Sequence, residues 1–159
     1  MKINRLMLFL ASLMFFVQCD SPHFYQQQES TKNNWNKSDA LNFDFVVKDS
    51  TGVYDIFLLT RNNNEYEYSN LYLFTEMKFP TGEVFTDTLQ YFLAYQDGEW
   101  IGDGGKLKEL FLLYRENISL KDTGKYELKV RHGMRDENLI GIEDISLIVD
   151  KVKSNEEAK

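Results

Sequence analysis

Leu71–Tyr95 reads LYLFTEMKFPTGEVFTDTLQYFLAY, and its period is two. Leu71, Leu73, Thr75, Met77 and Phe79 alternate with other residues, Pro80 to Glu83 (PTGE) supply a tight turn, and Thr86 to Tyr95 return as the partner strand. The pattern extends in both directions. Leu41, Phe43, Phe45 and Val47 alternate upstream, as do Tyr54, Ile56 and Leu58. Shorter strands are expected at Leu110–Tyr114, Tyr126–His132 and Ile142–Val152. Lys106–Glu116 (KLKELFLLYRE) also fits one helix face through Leu107, Leu110, Phe111 and Tyr114, and is read as a strand in this context. About seven or eight strands divided by Gly, Asn and Asp turns predict an all-β fold, an antiparallel β-sandwich of immunoglobulin-like or jelly-roll-like type.

Leu120–Val130 (LKDTGKYELKV) sharpens that expectation. An Asp-x-Gly-x-Tyr run entering a strand is similar to the tyrosine corner of immunoglobulin-like sandwiches, where the phenol bonds back to nearby backbone. Asp122, Gly124 and Tyr126 are then structural. The cysteine pair and core tryptophan of antibody domains are absent, so the motif bears on architecture alone.

The amino terminus has a different character. Lys2 and Arg5 precede a twelve-residue apolar run, Leu6–Val17, which suits a secretory h-region and falls short of the ~20 residues needed to span a bilayer. No small-residue cleavage pattern follows it. The run ends instead at Cys19, the only cysteine in 159 residues, in a context that resembles a bacterial lipoprotein signal. In that class the cysteine becomes the first mature residue, carrying diacylglycerol on sulfur and a fatty acid on its amine. A single cysteine in an exported chain has no internal disulfide partner, and lipidation gives it a purpose. Two or three acyl chains hold a protein stably on a membrane, at ~0.8 kcal/mol per buried CH2.

Residues 1–18 are thus expected to be a signal peptide, 19–38 a polar lipid-anchored tether, 39–153 the sandwich and 154–159 a polar tail. Losing residues 1–18, which hold two basic and no acidic side chains, takes the net charge from −7 to −9. That balance excludes nucleic acid as a partner.

Three stretches are candidates for chemistry or contact. His132, within VRHGMRDENLIGIEDI (Val130–Ile145), is either a general base oriented by Asp136 or Glu143, or a strand-end histidine beside a turn whose neighbours Arg131 and Arg135 pair with local acids. The second reading is preferred because no nucleophile motif accompanies it. In YQDGEWIGDGGKLKE (Tyr95–Glu109), Gly102 and Gly104 permit close backbone approach, and Trp100 with Tyr95 offers a platform for a sugar or a partner protein. Alternatively, Trp100 folds back over the sandwich edge. Asp103 and its acidic neighbours do not match a calcium loop. Arg61, with three asparagines and the Tyr66/Tyr68 alternation after it, marks either a polar aromatic surface or an ordinary crossing between strands. No cofactor, metal site or catalytic residue is expected, and the chain is read as a non-enzyme.

Several blocks together resemble one family. YDIFLLTRNNNEYEYSNLYLF (Tyr54–Phe74), FPTGEVFTDTLQYFLAYQDGEWIGDG (Phe79–Gly104), YELKVRHGMRDENLIGIEDISLIV (Tyr126–Val149) and the lipoprotein signal are similar to the GldH family of gliding-motility lipoproteins from Bacteroidetes. The resemblance implies an outer-membrane lipoprotein that takes part in gliding, a process linked to type IX secretion. It supplies no catalytic residues. Its partners would be envelope proteins of the gliding or secretion machinery. With only Asp20 acidic near Cys19, a periplasm-facing position is favoured. Asp49-Ser50-Thr51 and Asp87-Thr88-Leu89 fit the short O-glycosylation pattern of such bacteria, with Ser50 and Thr88 as acceptors. The competing expectation is a carbohydrate-binding envelope lipoprotein using Trp100 and nearby aromatics.

Overall fold

A computed structural model describes residues 23–152. The signal peptide, Cys19 and the polar tail lie outside the described residues. The described residues form ten strands and no helix. They are β1 (Tyr25–Ser30), β2 (Asn34–Asn36), β3 (Leu41–Val47), β4 (Val53–Asn62), β5 (Asn70–Lys78), β6 (Val84–Phe92), β7 (Lys108–Ser119), β8 (Gly124–His132), β9 (Asn138–Ile140) and β10 (Ile142–Lys151). Two four-stranded sheets, ordered β1-β10-β4-β7 and β3-β8-β5-β6, and the small pair β2-β9 are antiparallel throughout.

The inner faces follow the period of two. Phe43, Phe45 and Val47 of β3, Leu71, Leu73 and Met77 of β5, and Tyr126, Leu128 and Val130 of β8 meet Tyr54, Ile56 and Leu58 of β4 and Ile145, Leu147 and Val149 of β10 in one buried core. β10 is an inner strand, hydrogen-bonded to β4 on one side and β1 on the other, and every side chain along Ile145–Val149 is buried. The segment that fits a helix as well as a strand, Lys106–Glu116, enters β7, whose Leu112 and Tyr114 face the core. The Tyr126 hydroxyl donates to the Asp122 carbonyl at 3.0 Å, which makes the tyrosine corner.

Two features depart from expectation. The strand count is ten because β1 is polar and β2 and β9 are only three residues each, too little to carry the alternation seen in strands such as β3 and β4. The tether is also shorter than its composition indicates. Tyr25–Ser30 pairs along β10 from Tyr25↔Val149 to Ser30↔Asp144, and Trp35 is 1% exposed inside the core. Glutamines suit an edge strand whose backbone is satisfied by its neighbour, and polarity alone does not report that pairing.

Side chains close both long edges of the sandwich. On one edge the Gln27 amide bridges β1 to β3, donating to the Asn42 carbonyl at 3.1 Å and accepting from the Asp44 N–H at 3.1 Å. On the other, the Tyr91 hydroxyl donates to the Leu113 carbonyl at 2.9 Å, and Arg115 of β7 pairs with Asp87 of β6. Burial pushes the Tyr91 phenol up to about 12, so it remains a donor at every physiological pH. These bridges occupy polar groups that would otherwise recruit a further strand.

The connections sort the ends of the strands into two poles. At the terminal pole lie the start of β1, the end of β10 and the short turns 48–52, 79–83 and 120–123. At the opposite pole lie the longer crossings 31–40, 63–69, 93–107 and 133–141, with the β2-β9 pair. At ~3.3 Å per residue, the twelve-residue β7 separates the two by about 40 Å.

Candidate functional site

The candidate contact residues between Arg61 and Arg135, Thr88 of mid-β6 apart, gather toward the loop pole, because each sits at the end of a strand that points there or in a crossing that caps it. Arg61 ends β4 on the outer sheet face. Its register partners are Asp144 on β10 and Glu109 on β7, and its guanidinium donates to both carboxylate oxygens of Asp144, with Nε at 2.8 Å from Oδ1. Glu109 lies 3.8 Å away. The hydrogen bonds to nearly buried Asp144 hold Arg61 charged by raising its pKa further.

The crossing from β6 to β7 is ordered by its own backbone. Tyr95 N–H donates to the Glu99 carbonyl at 2.8 Å, Gly98 N–H to the Tyr95 carbonyl at 3.1 Å, and Ile101 N–H to the Leu93 carbonyl at 2.9 Å. Asp97 accepts the Glu99 N–H at 3.1 Å. This small turn leaves Tyr95 57% exposed, with Asp97 and Glu99 also exposed in the same turn. Asp103 and Glu109 then exchange two backbone hydrogen bonds at 3.1 and 2.7 Å. A Cβ on Gly102 would stand 2.9 Å from the Glu109 carbonyl oxygen, and Gly104 has φ of +123°. Both glycines are therefore explained by the loop's path.

Trp100 and Tyr95 part company. The indole is half-buried and tilts against Tyr66 at 6.4 Å between ring centroids, whereas Tyr95 meets no other ring among the described residues. A flat sugar platform needs both rings exposed on one plane, so the Trp100-based carbohydrate site lacks its second wall. Tyr66 is itself buried and donates to the Asn70 carbonyl at 2.7 Å. Beyond it, the Tyr68 hydroxyl donates to Asp136 at 2.6 Å, and this carboxylate raises the phenol's pKa. Asn64, Glu65, Glu67, Tyr68, Asp136, Asn138 and Ile140 line an open depression of about 440 Å³ with an acidic rim.

His132 is not placed for catalysis. The period of two turns Arg131 outward, opposite Phe74, and His132 inward, where it is fully buried. The Trp35 indole meets its ring edge-on at 5.3 Å, and neither imidazole nitrogen has a hydrogen-bond partner among the described residues. Burial holds the imidazole below its ordinary pKa, opposed in part by the nearby Trp35 backbone. The carboxylates suggested as its partners are engaged elsewhere, Asp136 by Tyr68 and Glu143 by the Asn63 amide at 2.8 Å. Arg135 is exposed on the crossing that follows. Thr88 points to solvent from mid-β6, and Ser50 is half-buried in the β3–β4 turn.

Trp35 and Asp136 contribute more than their places in the sequence indicate. Trp35 stood in a polar stretch, and its one available signal was a large apolar ring inside an asparagine-rich run. Asp136 pairs with Tyr68, 68 positions away, a contact that no local pattern signals.

The family described as GldH lipoprotein matches residues 23–149. A gliding motility lipoprotein GldH homolog of Christiangramia forsetii is 40% identical over 152 residues, covering 91% of this chain and 93% of the relative. The gliding motility lipoprotein GldH of Flavobacterium johnsoniae is 34% identical over 149 residues, covering 92% of each. Among solved structures, a family GH115 4-O-methyl-alpha-glucuronidase aligns with a TM-score of 0.45 and 10% identity, covering 84% of this chain and 18% of its own. A carbohydrate-binding module of the β-sandwich superfamily aligns with a TM-score of 0.35 and 11% identity, covering 81% of this chain and 54% of its own. Likenesses this loose carry nothing about ligand or activity.

Proposed function

Because this chain belongs to the GldH lipoprotein family, whose relatives are gliding-motility lipoproteins, we propose that it is a non-catalytic structural or interaction component of the gliding and type IX secretion apparatus. The lipid on Cys19 anchors it in the outer membrane, facing the periplasm, and the loop pole docks another envelope protein. One observation supports this most: the chain enters the sandwich at one pole, and the long crossings with their exposed Tyr95 and Arg135 stand at the other. An exposed aromatic on a hydrogen-bonded turn suits an interface anchor, because little freedom remains to be lost on binding. The exposed Asp97, Glu99, Glu65 and Glu67 in the crossings of this pole favour a partner surface carrying lysine or arginine, consistent with the acidic net charge.

The test is cross-linking in native cells with mass spectrometry of the captured proteins, comparing wild type, Cys19→Ala and the surface double variant Tyr95→Ala/Glu99→Lys. A defined set of envelope proteins captured by wild type and lost from the double variant supports the docking pole. Loss with Cys19→Ala shows that the encounter depends on anchoring. An unchanged set in the double variant refutes the pole as the docking surface.

A further inference from the structure

The terminal pole carries a feature that tethering alone leaves unused. Since Tyr25–Ser30 is a strand of the sandwich, only residues 20–22 separate Cys19 from the first described residue, His23. Four residue steps reach at most ~14 Å when fully extended. A lipid on Cys19 therefore holds this pole at the headgroup layer, with no room for a second protein domain between them.

The same pole exposes a set of apolar side chains. Phe24, Val46, Val53, Val84 and Phe85 are each between 37% and 51% exposed, and each lies within two residues of a strand end there. Phe24 packs on Tyr54 with 5.1 Å between centroids, and Phe85 on Phe79 at 5.1 Å, so these rings are braced from beneath. Beside them, an apolar pocket of about 290 Å³ is formed by Met77, Phe79, Phe85, Tyr114, Arg115 and Ile118, between the β5–β6 hairpin and the last part of β7. Charges of both signs stand among these groups: Lys48, Lys121 and Lys151 with Asp49 and Glu83. The apolar groups, and not a basic patch, are then what favours lipid.

We propose that the terminal pole is a bilayer-contacting surface, with Phe24, Val53, Val84 and Phe85 seated in the headgroup region of the membrane that holds the anchor. The proposal rests on lipidation of Cys19. Its consequence is orientation: the sandwich stands upright, and the loop pole is held about 40 Å from the bilayer.

The full lipidated protein is reconstituted in vesicles of phosphatidylethanolamine and phosphatidylglycerol. Cys19 is the only native cysteine and is blocked by its lipid, so Val53→Cys, Val84→Cys and Tyr95→Cys each provide one free thiol for an environment-sensitive dye. Flotation reports anchoring, and a nitroxide on the lipid headgroup reports depth. Quenching at positions 53 and 84 about threefold greater than at 95, persisting at high salt, is the expected result. Flotation with equal or no quenching at the three positions overturns the surface while leaving the anchor intact. Failure to float overturns the anchor, and this proposal with it.

Discussion

Trp35→Ala tests whether the polar segment before β3 belongs to the folded core. The indole is 1% exposed, sits edge-on to His132 at 5.3 Å, and donates from Nε1 to the Asp39 carbonyl at 2.9 Å. Burying a ring of about 200 Å² at ~25 cal/mol per Å² is an upper figure of about 5 kcal/mol. Large-to-small changes at buried tryptophans cost about 3–5 kcal/mol. The Asp39 carbonyl, on an exposed residue, regains water, so the lost hydrogen bond adds at most ~1 kcal/mol. We expect a loss of about 4 kcal/mol. In urea unfolding followed by far-ultraviolet circular dichroism, a slope of ~2 kcal/mol/M turns this into a midpoint lower by about 2 M. A second readout comes from NMR titration of the imidazole: opening the site to water moves the His132 pKa upward, toward its ordinary value. A midpoint shift below about 0.5 M, with the imidazole unmoved, would refute the assignment of residues 31–40 to the core.

Three further outcomes follow from the same packing. The depressed His132 pKa means that the folded state resists a proton which the unfolded chain accepts below about pH 6.5, so stability falls as pH drops through that value. His132→Leu removes two unpartnered nitrogens, leaves stability at pH 8 equal or higher, and flattens the decline below pH 6.5 in denaturation series across pH. Tyr126→Phe deletes the 3.0 Å bond to Asp122 while keeping the ring, and should cost about 1 kcal/mol in chemical denaturation. Arg61→Leu strands the Asp144 carboxylate, whose side chain is 5% exposed, at about 3 kcal/mol, and Arg61→Leu/Asp144→Leu recovers most of it, with a double-mutant cycle giving the coupling.

What the sequence determined by itself is the local geometry of the longer strands. In Leu41–Val47 and Leu71–Met77, Leu41, Phe43, Phe45 and Val47, and Leu71, Leu73, Thr75 and Met77, recur at every second position, so an extended chain places each set on one face, the face that must leave water. The tyrosine corner and the turn at Pro80–Glu83 were legible for the same reason, since each depends on residues within a few positions of one another. Tyr25–Ser30 was not. Nothing in YQQQES favours a strand locally, and it becomes one because the twice-buried β10 leaves an edge for it to pair with. β10 itself held the clue, in the unbroken apolar run Leu147–Val149, which needs cover on both faces. The candidate site divides similarly. Residue types marked Arg61, Tyr95, Trp100 and His132, but tertiary structure decided that Tyr95 faces solvent, Trp100 leans on Tyr66, and His132 enters the core. Alternation says that neighbours face opposite ways, and only the packing of one sheet on the other says which way is in.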